Sequence, residues 1–321
     1  MALGLRVGTI GTSVWFSDDR GETWLRPHSE SGLYLESRVF SLTSQPAGGP
    51  SVLAGTDEGV YRWRAADRHW EHLPSELDTR PVWSLVASPH DPDVLLAGTH
   101  PAALYRSEDG GRNWTRLSVA FAEHCRAVGR PRVTQILFDR EDPRLVWAGV
   151  EIDGVWRSRD GGKTWAKHAE GLVSEDIHGL ASVPRNGRRA LFGTTNQGLH
   201  VSHDDGESWQ LRKLDSPWQY TRAIVERADG EVLFLTNGNG PPGSTGRLLR
   251  SADRGQTWTD AGLPGELNST PWCIAVHPGD PRLVFVCTNF GQLFRSEDGG
   301  GSWTKLKREF GEIRALMLRP L

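Results

Sequence analysis

Five arginines each stand at the start of a short run of apolar residues: Arg38, Arg80, Arg132, Arg222 and Arg314. Guanidinium forks that converge hold a carboxylate, sulfate or phosphate better than an ammonium point charge does. The competing account gives each arginine a neighbouring carboxylate or a strand-end carbonyl, an interaction individually worth little. Five on one rim need a further reason, because like charges held together repel. Two acid–base candidates accompany them. Asp176 and His178 are two residues apart, which on a strand puts them on one face, as for a general base oriented by a carboxylate; the alternative is a satisfied channel histidine. Glu151 and Asp153 have the same spacing and would make either a carboxylate pair with a raised pKa or turn chemistry before Gly154. Trp83 and Trp272 have the size to floor a pocket for a sugar or aromatic ring, or belong to the core. His100 and Asn237 fall in loops that complete this set.

A further candidate is an Asp-containing octet, Ser-x-Asp-x-Gly-x-x-Trp, at 17–24, 107–114, 158–165, 202–209, 251–258 and 296–303. Its superficial likeness to a calcium loop fails on ligand count, since only one Ser and one Asp recur where such a loop needs oxygens at alternate positions and a closing Glu. The residues instead describe a turn. The Asp accepts backbone N–H groups, the Gly takes a positive φ, and the Trp starts a returning strand and buries a large ring. No metal site and no cofactor are expected, and the six aspartates are structural.

The elements that must position these residues follow from the spacing. Successive octets start at Ser17, Ser107, Ser158, Ser202, Ser251 and Ser296, intervals of 44 to 51 residues apart from one of 90. The double interval hides a degenerate repeat near 61–70, where Tyr61-Arg62 and Trp70 survive without the Ser, Asp and Gly. Seven repeats of this length, each with several strands, predict a β-propeller. The third repeat parses as strands at 83–87, 94–99, 104–107 and 114–117, and no stretch of helical period competes. The first repeat lacks an inner strand and the last residues, EIRALMLRP, supply one, so the C-terminal strand should complete the N-terminal blade and close the ring. The expectation is one all-β domain, 1–321, of seven four-stranded antiparallel blades.

A net charge of −3, with 24% charged and 37% hydrophobic residues, gives no support to disorder, a nucleic-acid partner or a membrane span. No apolar leader precedes the first strand, which predicts a cytoplasmic protein and, with closed edges, a monomer. The cysteines Cys125, Cys273 and Cys287 have no metal spacing; the last two fall on neighbouring strands of one blade and read as reduced, buried thiols. Two insertions, at 117–132 and 237–246, lengthen otherwise tight loops and should lie on the arginine face; residues 119–128 would make a short lid helix.

The octets resemble the Asp box, or BNR repeat, of sialidases, xyloglucan-degrading hydrolases, sortilin-type receptors and photosystem II assembly-factor-like proteins. The resemblance spans nearly the whole chain and implies boxes at the outer rim, away from a functional face at the channel mouth. A sialidase-like activity would imply an arginine triad, a tyrosine nucleophile and an acid/base carboxylate on six blades; Tyr220 beside Arg222, with Arg38 and Arg314, is the available imitation on seven. A xyloglucanase-like activity implies a cleft between two propellers, where this chain has one. The assembly-factor-like proteins resemble it in a single seven-bladed propeller with arginines on a face for a protein partner. The expectation is a binding propeller that recognises a protein partner or small anionic ligand, with a glycosidase-like or lyase-like enzyme in the same pocket as the alternative.

Overall fold

The computed structural model of the protein describes residues 2–45, 51–125, 129–185 and 188–321. Its strands form seven antiparallel sheets around a central channel, six of four strands and one of three. Among the described residues there is no α-helix, only two 3-10 turns at Ser29–Ser31 and Glu76–Thr79. From blade one to blade seven the inner strands are Ile313–Pro320, Val39–Ser44, Val82–Ala87, Val133–Phe138, Ile177–Arg185, Tyr220–Glu226 and Pro271–Ala275. The second strands, such as Leu95–Thr99 and Val146–Val150, are buried along their whole length because neighbouring blades pack on both their faces. Close approach of one blade to the next is what their glycines permit: a Cβ on Gly98 would lie 2.5 Å from Val133, and one on Gly149 would lie 2.6 Å from Ile177.

Closure occurs as the sequence implies. The strand Leu3–Thr9 pairs on one side with Val14–Ser17 and on the other with Ile313–Pro320, in register from Leu3 opposite Pro320 to Thr9 opposite Ile313. The fourth strand of this blade shrinks to a single bridge between Phe16 and Leu25; Pro27 follows within two residues and has no N–H to extend a ladder. The degenerate second blade keeps its hairpin, turning through Arg68 at φ 51° with an Arg64–Asp67 ion pair of 2.8 Å in place of a box. Trp63 and Trp70, with centroids 5.3 Å apart, supply the buried aromatic mass.

Each box is a closed hydrogen-bond circuit. In the fifth, Ser251 donates its hydroxyl to Asp253 at 2.7 Å and accepts the Gly255 amide at 2.8 Å, while Asp253 accepts the amide and hydroxyl of Thr257 at 2.9 and 2.6 Å. The Trp114 and Trp165 indoles donate to the box glycine carbonyls at 3.1 Å, which satisfies the ring N–H at the blade edge. Hydrogen bonds from the Thr257 side chain and backbone hold the Asp253 carboxyl down at about 2, and those from Thr23 do the same for Asp19.

The first insertion departs from expectation. No helix forms over the described part of 119–128; Phe121 packs edge-on against Trp156 at 5.0 Å and the Ala122 amide donates to Asp153, tying the segment to the third strand of its blade. Residues 126–128 lie outside those described. The sixth-blade insertion is held by Asn239, whose side chain accepts the amides of Ser244 and Thr245, and by Thr270 donating to the Gly240 carbonyl.

Two predictions follow from this architecture. Removing residues 312–321 takes away the inner strand of blade one, so the truncated protein should be insoluble or melt far lower; an unchanged melting temperature would contradict closure by this strand. A depressed carboxylate pKa contributes stability that is present above its unfolded value of 3.8 and is lost as pH falls through its folded value of about 2. The melting temperature of Asp253→Asn should therefore lie below that of the parent at pH 6, with the gap closing between about pH 4 and pH 2.

Candidate functional site

The inner strands enclose a channel of about 340 Å³. At its mouth every blade breaks register once. Shifts fall between Val39 and Ser41, Val82 and Ser84, Val133 and Gln135, Ile177 and Gly179, Thr221 and Ile224, Pro271 and Cys273, and opposite Arg314 in blade one. Each bulge inserts an extra residue that leaves the ladder and redirects its side chain. The residues so placed are Phe40, Trp83, Thr134, His178, Arg222, Trp272 and Arg314, and all of them line the channel.

These side chains stack. Phe40 lies on Trp83 at 4.8 Å and 26°. Arg132 reaches over the Trp83 ring at 4.1 Å, Arg222 over the Trp272 ring at 4.2 Å, and Arg314 sits between the two indoles, 5.4 Å from one and 4.9 Å from the other. Burial pulls the Arg314 guanidinium below its ordinary range, and the Arg222 and Arg132 charges add to it while Glu312 opposes it. Three cations thus share one aromatic-walled mouth. Arg132 pairs with Glu151, and Arg314 with Glu312. Arg222 has no carboxylate within ion-pair distance among the described residues. Its backbone carbonyl is fixed by the Thr194 hydroxyl of the neighbouring blade at 2.8 Å.

The mouth also holds polar atoms that the described residues leave without a hydrogen-bond partner: Nε of Arg132 and Arg314, the Tyr220 hydroxyl and Oδ1 of Asp176. Buried groups of this kind are uncommon and call for a water or a ligand. Asp176 sits 3.2 Å from His178; burial pushes its carboxyl up, and His178, Arg222 and Arg132 outweigh that and leave it below the usual range.

The sequence candidates distribute as follows. Arg132, Arg222, Arg314, Trp83, Trp272, Asp176, His178 and Tyr220 come together, with Glu151 behind Arg132. His100 stands beside them, its imidazole pulled down by burial and then by Arg132. Arg38 is exposed at the rim and touches none of the aromatic rings by its guanidinium, and Arg80 ends the Glu76–Thr79 turn with its charge toward Tyr105, so three of the five arginines converge rather than all. The Glu151–Asp153 pairing does not form: Asp153 turns outward to Lys167 at 2.8 Å and to the Ala122 amide. Asn237 is fully buried, its side chain spent on the carbonyls of Trp218 and Tyr220 and on the Ser216 hydroxyl, so it braces the preceding loop instead of facing a ligand.

The acid–base geometry is similarly restrictive. His178 Nδ1 donates to the Thr221 carbonyl at 2.6 Å and Nε2 faces the Asp176 carboxylate. Both ring nitrogens are thus already engaged by neighbouring oxygens. Burial raises the Tyr220 phenol above its ordinary value, the wrong direction for a nucleophile. Among the described residues no group of three His, Cys, Asp or Glu side chains is gathered to hold a metal, and no helix is long and apolar enough to cross a membrane. What sequence reasoning missed is the stacking itself and Phe40; its signal is the aromatic or cationic residue at the bulge position of six of the seven inner strands, Thr134 being the exception.

Fold and mouth together define a seven-bladed Asp-box propeller with a guanidinium–indole cluster at the channel. A profile described as "Sortilin, neurotensin receptor 3" matches residues 153–245. The photosystem II assembly lipoprotein Ycf48 of Synechococcus sp. (strain CC9902) is 31% identical over 300 residues, covering 93% of this chain and 80% of that protein, and the chain belongs to this family. A Paenibacillus xyloglucanase is 27% identical over 305 residues, or 79% of this chain, but the match spans only 30% of the enzyme; the chain thus spans about a third of the length of such relatives. A solved structure titled "YCF48 bound to D1 peptide" superposes with a TM-score of 0.57 at 15% identity, covering 84% of this chain and 82% of that one, a likeness of fold.

The ion pairs separate two arginines of the cluster. Arg132→Ala strands Glu151, which is 7% exposed, and should lower stability by about 2 kcal/mol. Arg222→Ala strands no carboxylate and relieves repulsion, so its melting temperature should equal or exceed the parent's. Equal losses in the two variants would show that both arginines serve the fold alike.

Proposed function

We propose that the channel mouth is a docking site for an anionic group, presented by a protein partner or a small ligand. The observation that carries this reading is Arg222, stacked on Trp272 with no carboxylate of its own and set beside Arg314 and Arg132. An uncompensated guanidinium among two others raises the energy of the empty protein and is relieved by a carboxylate, sulfate or phosphate. The indole faces hold the cations in place and exclude water, which strengthens a charge-assisted hydrogen bond formed there. A relative named for an assembly role and a similar fold seen with a peptide support a polypeptide as the bearer of the anion.

The alternative is a glycosidase, supported by the similarity to xyloglucanases. Such chemistry needs two carboxyl groups flanking a bond, one to give a proton and one to attack or activate water. Here Glu151 is engaged by Arg132, Asp176 by His178, and Glu312 by Arg314, so each of these three carboxylates already has a basic side chain as its partner. Binding is therefore the preferred reading.

The test is calorimetric titration with sulfate and with citrate at low salt. The parent should bind, and Arg222→Ala should lose roughly 1.5–3 kcal/mol of binding free energy. Arg222→Lys should recover little, since an ammonium cannot reproduce the fork. Absence of binding by the parent, or full affinity in Arg222→Ala, would overturn the reading.

A further inference from the structure

Each inner strand just below its bulge faces a second-strand residue across the sheet. In blades one to five the facing pairs are Ala315 with Gly8, Ser41 with Gly55, Ser84 with Gly98, Gln135 with Gly149, and Gly179 with Thr194. Blade seven places Cys273 opposite Cys287. Packing does not ask for this, because the equivalent second-strand position is glycine in four other blades. Directly opposed residues of an antiparallel pair have Cα atoms about 4.5–5.5 Å apart, inside the range that a disulfide spans. Both thiols are reduced here.

The two are unlike. Cys287 is fully buried, whereas Cys273 is partly exposed and lines the channel with Arg222 and Arg314. The hydrogen bond with Cys287 holds the Cys273 thiol below its ordinary value, with the two arginines adding to the effect, while burial pushes Cys287 well up. A partly exposed thiol shifted in the direction of its thiolate, with a second thiol directly opposite, is the arrangement of a reactive cysteine with its resolving partner.

We propose that Cys273 and Cys287 form a peroxide-sensitive dithiol, in which Cys273 meets the oxidant from the channel and Cys287 closes the disulfide. The Cys273 sulfur attacks a peroxide oxygen, the O–O bond breaks, and a sulfenic acid and one water result. The Cys287 sulfur then attacks the Cys273 sulfur, the S–O bond breaks, and the hydroxyl leaves as water with the Cys287 proton. Two electrons pass from the thiols to one peroxide.

The consequence reaches the anion site. Cys273 donates its S–H to the Arg314 carbonyl at 3.2 Å, as Ser41 does to the Val82 carbonyl between blades two and three. Oxidation removes that donor at the seam where the last strand closes the ring, beside the arginine that sits between the two indoles. The disulfide therefore loosens Arg314 and weakens anion binding. This effect on binding rests on the docking reading above; formation of the bond does not.

The experiment treats the folded protein with hydrogen peroxide and counts thiols after denaturation, with the linkage mapped by peptide mass spectrometry. Of the three cysteines one thiol should remain, the linked peptides should carry Cys273 and Cys287, and dithiothreitol should restore all three. In Cys287→Ala the Cys273 sulfenic acid should be trapped by dimedone, and in Cys273→Ala the Cys287 thiol should survive. Retention of every thiol in the parent, a linkage through Cys125, or oxidation of Cys287 in Cys273→Ala would each overturn the proposal. Sulfate affinity should be severalfold weaker in the oxidised protein. Equal affinity in both forms would remove the coupling to Arg314, whereas failure of both forms to bind sulfate would count against the docking reading and leave the dithiol standing.

Discussion

One extra residue at the top of each inner strand sets the character of this molecule. A regular strand alternates its side chains between the two faces of a blade, both of which are covered by neighbouring blades. A bulge breaks the alternation and releases one side chain toward the channel. Repeated seven times around a closed ring, it gathers Phe40, Trp83, Thr134, His178, Arg222, Trp272 and Arg314 around the channel. The ring has to be closed for this to work, because Arg314 comes from the last strand and stands between residues of blades three and seven.

Bringing three guanidinium groups together costs energy, and the structure shows what offsets it. Each cation lies over an indole face, worth roughly 0.5–2 kcal/mol according to how far it is desolvated. Glu151 and Glu312 neutralise two of the three. Asp176, shared with His178, lies close enough to feel Arg222 and Arg132 without pairing directly with either. The remaining imbalance centres on Arg222. Boxes on the outer rim and blade-to-blade hydroxyl bonds, such as Thr134 to the Ile177 carbonyl and Thr194 to the Arg222 carbonyl, keep the strands from relaxing apart.

Much of the fold was legible in the sequence, because its signals are local and repeated. The octet needs a glycine for its positive φ and an aspartate for its amides, so it stands out in every repeat that keeps it; Trp70 and the spacing revealed the repeat that lost it. Closure was legible from an unpaired first and last strand. The site was legible only in part. Arg222 and Arg314 were found because they begin inner strands, but the same rule included Arg38 and Arg80, whose side chains point elsewhere. Arg132 and Arg38 stand at the same place before their bulges, yet only Arg132 reaches over Trp83, so the direction a long side chain takes from a strand end is set by its neighbours and not by spacing. Asn237 and Asp153 misled for a related reason. Both have the residue type of a ligand contact, and both are consumed by nearby loops, a satisfaction that only three-dimensional placement reveals.

The claim on which the account turns is that the mouth holds an anion between Trp83 and Trp272. Anomalous diffraction from crystals soaked in selenate at low ionic strength tests it most directly. The account predicts a selenium peak within hydrogen-bonding reach of Arg222 and Arg314, lost in Arg222→Ala crystals grown in the same form. Selenium found only at lysines and arginines of the outer rim, with the channel mouth filled by water alone, would contradict it.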